Sequence, residues 1–144
     1  MKHLRTIMAC FALCVVVIAA ASCAKKADKD PTSEALSAAE SWLAIVDRGD
    51  YETSWDQSAE LFRNAVTRDG WGQSLVMARQ PLGALVSRTM KSADFATTLP
   101  GAPDGEYVVI QFTTSFANKE SAVETVTPMK DPDGTWRVSG YFIR

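Results

Sequence analysis

The period of the hydrophobic residues changes near Leu82. Before that point apolar side chains recur at helical spacing, and afterwards they alternate with polar ones. A group of helices followed by a group of strands predicts an α+β fold with the helices on one face of a curved sheet. Because the predicted strands follow one another without intervening helices, a four-stranded antiparallel meander is the simplest pairing.

Three helices are predicted before the change of period. The residues that can cap or end them are Thr32 or Ser33, Gly49, Asp50, Thr67 and Pro81. The second helix is expected to carry four apolar side chains on one side, Tyr51, Trp55, Ala59 and Phe62. The predicted strands cover residues 82–95, 105–116, 120–129 and 135–143, and Asp133-Gly134 predicts a tight turn before the last of them.

The N-terminal residues predict export. Lys2 and Arg5 precede an uncharged apolar run from Ile7 to Ala21, and small residues follow it. The run is shorter than the ~20 apolar residues of a membrane-spanning helix. We therefore interpret residues 1–22 as a signal peptide, 23–31 as a tether and 32–144 as one α+β domain.

The ending Ala20-Ala21-Ser22-Cys23 resembles the bacterial lipobox, although the lipobox usually has Leu where Ala20 stands. The resemblance implies that Cys23 is acylated and becomes the first mature residue, which would anchor the chain in a membrane. Ala24 after the cysteine, rather than Asp, resembles the pattern that sends bacterial lipoproteins to the outer membrane. This resemblance implies the periplasmic face of that membrane. Ordinary cleavage near Ala21 or Ala24, which would release a soluble periplasmic protein, is the alternative.

The mature chain would have few reactive groups. All three cysteines and the one histidine lie in residues 1–23, so an imidazole-dependent nucleophile is not expected. The carboxylates of Asp131 and Asp133 are too few for a Ca²⁺ loop and are better explained by a turn. Removing Lys2 and Arg5 leaves 13 basic against 17 acidic residues, a net charge of −4, which argues against nucleic acid as a partner. No cofactor, metal or catalytic residue is predicted.

Several short motifs along the mature chain resemble a known family. They are Ser41-Trp42-Leu43, Asp50-Tyr51 with Ser54-Trp55, Pro81-Leu82-Gly83, residues 99–107, Glu124-Thr125-Val126 and residues 133–141. Together they resemble the bacterial "domain of unknown function 4019" family. The resemblance implies a nuclear-transport-factor-2-like, or cystatin-like, cone and carries over no catalytic residue. Dimers are common in that superfold, so a homodimer is left open.

Five residues are candidates for ligand binding: Trp71, Arg88, Tyr107, Glu124 and Trp136. Arg88 and Glu124 are charged residues within predicted strands, and they could pair at a pocket floor beside Tyr107 or Tyr141. Strand alternation does not decide between that arrangement and two solvent-facing side chains. The tryptophans could line a cleft or fill the core.

These observations favour a membrane-tethered domain that binds a small ligand or an envelope protein without catalysis. The alternative is a small isomerase- or lyase-like enzyme that uses a carboxylate and a tyrosine.

Overall fold

The computed structural model describes residues 30–144. The predicted signal peptide, Cys23 and residues 23–29 of the tether lie outside the described residues. Four α-helices come first: α1 (Pro31–Asp47), α2 (Tyr51–Asp56), α3 (Glu60–Ala65) and α4 (Arg68–Arg79). After a 3₁₀ turn at Gln80–Leu82 come four strands: β1 (Leu85–Ala96), β2 (Tyr107–Phe116), β3 (Lys119–Lys130) and β4 (Trp136–Ile143).

Side-chain caps fix the starts of three helices. The predicted cap of α1 was wrong, because Asp30 accepts the hydrogen bond from the Thr32 amide and Pro31 takes the first helical position. The Asp50 cap of α2 and the Thr67 cap of α4 are confirmed. None of the helices in residues 30–144 has the length and apolar character needed to span a membrane.

The second predicted helix is two short helices, α2 and α3, with a break between them. Ser58 lies in the break, and its hydroxyl bonds the Ser54 carbonyl 2.8 Å away. The Ala59 amide bonds the Val138 carbonyl of β4 at 2.8 Å instead of continuing a helix. The expectation of one continuous helix from Tyr51 to Phe62 was therefore wrong, because tertiary hydrogen bonds replace the helical ones.

The four strands form one curved antiparallel sheet in the order β1-β2-β3-β4, which confirms the meander. Pro128 lies in β3, a strand with a neighbour on both sides, and the β3–β4 register shifts between Thr127 and Pro128. A register shift of this kind accommodates a residue without an amide hydrogen.

One face of the sheet packs against the helices. The core includes Trp42 and Leu43 of α1, Trp71 of α4, and Ile110 and Val126 of the sheet. Helix α1 contacts all four strands, so this helix holds the sheet together from one side.

Candidate functional site

A buried cluster of charged and hydroxyl groups lies between the sheet and the helices. At its centre, Glu124 of β3 has no exposed side-chain surface. Arg88 of β1 donates to both its oxygens, from Nε to Oε2 at 2.6 Å and from Nη2 to Oε1 at 3.1 Å. The Thr114 hydroxyl donates to Oε2 at 2.6 Å, and the Tyr141 hydroxyl donates to Oε1. Both Arg88 and Glu124 thus face inward, which settles the alternative left open by the sequence.

Asp47 and Arg79 complete this cluster, which we call the ion-pair cluster (Asp47, Arg79, Arg88, Thr114, Glu124 and Tyr141). Arg79 Nη2 lies 2.7 Å from Asp47 Oδ1, and Arg79 Nη1 reaches Tyr141 at 3.0 Å and Glu124 at 3.4 Å. Arg88 also binds both oxygens of Asp47, at 2.7 and 3.0 Å. Two guanidinium groups therefore balance two carboxylates, and each carboxylate has bidentate contact with an arginine.

The secondary structure explains how these side chains meet. The register of the sheet pairs Arg88 of β1 with Thr114 of β2. Glu124 of β3 pairs with Phe112, which is two residues before Thr114 on β2 and therefore on the same face. The inward face of these three strands thus presents Arg88, Thr114 and Glu124. Arg79 is four residues after the buried Leu75 on α4, which puts it on the same helical face. The Arg79 guanidinium carbon also lies 4.7 Å from the centre of the Phe116 ring, a cation–π distance.

The cluster shifts the protonation equilibria of its members. Burial and the negative charge of Glu124 raise the pKa of Tyr141 well above its ordinary value, so the phenol stays protonated. Burial works to raise the pKa of Asp47, but hydrogen bonds from Arg88 and Arg79 outweigh it and hold that pKa below its ordinary value. For Arg88, burial opposes the charged form, yet its bonds to Asp47 and Glu124 raise the pKa further.

The other three predicted binding residues are not members of the ion-pair cluster. Trp71 is buried in an aromatic group, with its ring centre 6.0 Å from that of Trp42 and 4.9 Å from that of Phe62. Its indole nitrogen donates to the Ser54 hydroxyl at 2.9 Å. Tyr107 is buried on β2, and its hydroxyl donates to the Pro103 carbonyl at 2.7 Å. The structure therefore brings Arg88 and Glu124 into direct contact and places Trp71 beside their cluster, with its ring centre 6.4 Å from that of Tyr141. Tyr107 has no hydrogen bond to that cluster within residues 30–144.

Trp136, the last of the five, lies at the start of β4. It lines two open surface grooves, of about 670 and 350 Å³, between α1 and the β3–β4 turn. The residue is only 6% exposed, and its indole nitrogen has no hydrogen-bond partner within residues 30–144.

Within the described part of the chain, no group of three His, Cys, Asp or Glu side chains is arranged to hold a metal ion. The two aspartates of the β3–β4 turn bind Arg137 instead, each at 2.9 Å. This pairing agrees with the interpretation of Asp131-Pro132-Asp133-Gly134 as a turn.

Comparison with known proteins identifies the family. A family model described as "Protein of unknown function (DUF4019)" matches residues 38–141. The chain belongs to the DUF4019 family. No curated protein and no solved structure matches it. The motifs noted in the sequence therefore identified the family correctly, and the likeness of this DUF4019 domain to a nuclear-transport-factor-2-like cone stays a prediction.

Asp47 and Arg79 of the DUF4019 chain were not among the binding residues predicted from the sequence. A signal for both was present, because each follows a buried leucine by four residues, Leu43 in one case and Leu75 in the other. A charged residue that continues the apolar stripe of a helix is a candidate for a buried ion pair.

The geometry limits what the ion-pair cluster can do. A general base must reach the proton it removes, but five hydrogen bonds from protein groups already reach Glu124. The Tyr141 hydroxyl, the nearest acid, is itself bonded to Glu124 and Arg79. In this conformation the cluster ties secondary-structure elements together.

Proposed function

We propose that this DUF4019 protein is a lipid-anchored domain of the cell envelope that binds a small ligand or another envelope protein and performs no catalysis. Acylation of Cys23 would hold it at the periplasmic face of the outer membrane. Residues 24–29 would then separate the lipid from the first helix.

One observation carries the preference for recognition over catalysis. Glu124 is the carboxylate that contacts a phenol, yet it has no solvent exposure and is bonded to Arg88, Tyr141 and Thr114. Proton abstraction by Glu124 would require these bonds to break and would leave two buried arginines, Arg79 and Arg88, with Asp47 as their one remaining carboxylate. Losing one partner of a buried ion pair costs roughly 3–5 kcal/mol, which makes this carboxylate a poor base.

The competing proposal is a small enzyme that uses Glu124 and Tyr141 after the domain opens. The direct contact between these two side chains favours it. Carbodiimide labelling with an amine nucleophile separates the two proposals, because it modifies carboxyl groups that solvent reaches. Under the recognition proposal, the folded protein is labelled at the exposed Glu120 of the same strand and not at Glu124. Labelling of both at similar rates would favour the enzyme.

Native mass spectrometry tests recognition directly. The protein is extracted from its natural membrane in mild detergent and compared with the same protein after denaturation and refolding. We expect the extracted sample to carry an additional mass, from a small molecule or a partner protein, that the refolded sample lacks. Identical masses in the two samples would contradict the proposal.

Fractionation tests the anchor. We expect the wild type in the membrane fraction with a mature mass that includes acyl chains, and Cys23→Ala in the soluble fraction or unprocessed. If both variants are soluble and have the same mature mass, the lipid anchor is wrong.

A further inference from the structure

Gly72 is a helical residue with no packing reason to be glycine. It lies within α4, where glycine lowers the folding equilibrium constant about fivefold relative to alanine. A Cβ added at Gly70, in the same helix, would lie 2.9 Å from the Thr67 hydroxyl oxygen that caps it. A Cβ added at Gly72 would have no neighbouring atom within 4 Å. The contact with the helix cap therefore explains Gly70, and no such contact explains Gly72.

Gly72 lines an open groove of about 740 Å³ between α4 and the start of α2. We call it the Gly72 groove. One wall contains Tyr51 and Glu52, and the other contains Asp69, Gly72, Val76 and Met77 of α4. Its volume is within the range of small-molecule sites. A methyl group at position 72 would project into it, so the glycine keeps this space open.

The groove combines apolar surface with negative charge. Met77 is 72% exposed and Val76 is 39% exposed, although large apolar side chains on a helix are usually turned inward. Three carboxyl groups line the groove, those of Asp50, Glu52 and Asp69.

The one arginine that lines the groove offsets only part of this charge. Arg68 is bonded to Glu52 at 2.9 Å and to Asp56, which lies outside the lining, at 2.8 Å. Within residues 30–144 no salt bridge engages Asp69 or Asp50. Asp50 accepts the capping hydrogen bond from the Thr53 amide. Asp69 is therefore the lining carboxylate that can complement a cation.

We propose that the Gly72 groove binds a small organic cation, an ammonium group carried on an apolar group. The apolar group lies over Gly72, Val76 and Met77, and the ammonium group faces Asp69. This inference rests on the proposed recognition function and names its site and ligand class.

The test uses two probes with the same phenyl group and opposite charges, 2-phenylethylamine and 3-phenylpropionate. Each is titrated into the ¹⁵N-labelled protein, and amide chemical shifts are followed by NMR. We expect the amine to shift residues of α4 and of the first turn of α2, with a dissociation constant on the order of millimolar for a probe of this size. We expect the propionate to bind at least tenfold more weakly.

Gly72→Ala is the decisive variant, because alanine favours a helix more than glycine does and the variant should therefore fold. We expect its melting temperature to rise by about 4 °C and its affinity for the amine to fall at least tenfold. Ser74→Ala is the matched control, since it also introduces alanine on α4 but does not line the groove. It should bind the amine as the wild type does. Asp69→Asn should weaken amine binding about threefold and leave propionate binding unchanged.

Equal binding of both probes, or unchanged amine binding by Gly72→Ala, would overturn the inference. The outcomes also separate it from the recognition function. If the natural ligand copurifies equally with wild type and Gly72→Ala, recognition is supported and this site is wrong. If the amine binds the groove selectively but no ligand or partner copurifies, the groove is supported and the recognition function is wrong.

Discussion

At the scale of single residues, Glu124 shows how a charge is kept inside this protein. A carboxylate with no solvent exposure would be strongly destabilising by itself. Here two arginines and two hydroxyl groups supply its hydrogen bonds. The stability of the cluster therefore depends on its being complete.

Removing the charge of Glu124 should destabilise the fold strongly. Glu124→Gln keeps the size of the side chain but leaves Arg79 and Arg88 with Asp47 as their one remaining carboxylate. We expect the free energy of unfolding to fall by about 3 kcal/mol, measured by urea denaturation at pH 7. Glu120→Gln makes the same change at an exposed position of β3 and should alter the free energy of unfolding by less than about 0.5 kcal/mol. Similar small losses for both variants would show that the cluster contributes little.

The sequence predicted only part of this cluster, for a physical reason. Arg88 and Glu124 could be selected because charge is unusual within a strand. The face of the sheet toward which their side chains point could not be predicted, because β3 has apolar residues on both faces and its register shifts at Pro128. Asp47 and Arg79 come from helices whose meeting point depends on tertiary packing, which local patterns do not contain.

At the scale of elements, local chemistry predicted best where one side chain makes the decisive bond. The caps Asp50 and Thr67 were predicted correctly in this way. The meander was predicted correctly because no helices intervene between the predicted strands. The break between α2 and α3 was not, because the bond from the Ala59 amide to Val138 joins residues far apart in sequence.

The β3–β4 turn gives a prediction at this scale. Gly134 has a φ of +80°, and no atom lies within 4 Å of a Cβ added there. Gly134→Ala should therefore lower the free energy of unfolding by about 1–2 kcal/mol through backbone strain alone. Gly134→Asn should lower the free energy of unfolding less than Gly134→Ala does, because asparagine tolerates a positive φ better than alanine. Thermal unfolding of both variants tests this, and an alanine variant as stable as wild type would contradict it.

At the scale of the whole molecule, the ion-pair cluster joins most of the fold. Its members come from α1, α4 and all four strands: Asp47, Arg79, Arg88, Thr114, Glu124 and Tyr141. A change of protonation at one of them therefore acts on the global unfolding equilibrium.

Tyr141 should make this equilibrium sensitive to alkali. Burial and the charge of Glu124 raise its pKa in the folded state, whereas in the unfolded chain a tyrosine has a pKa of about 10. The folded state thus retains a proton that the unfolded chain releases. The contribution of Tyr141 to stability is complete below pH ~10 and is lost as the pH rises above that value.

Tyr141→Phe should remove this dependence. We expect it to be less stable than wild type at pH 7 by about 1–2 kcal/mol, because Glu124 loses one donor and Arg79 loses one acceptor. Between pH 10 and 11.5 its stability should fall less steeply than that of wild type, by up to roughly 1.4 kcal/mol per pH unit. Urea denaturation across this range measures both slopes. Parallel slopes would contradict this prediction, because they would show that Tyr141 loses its proton as readily in the folded protein as in the unfolded chain.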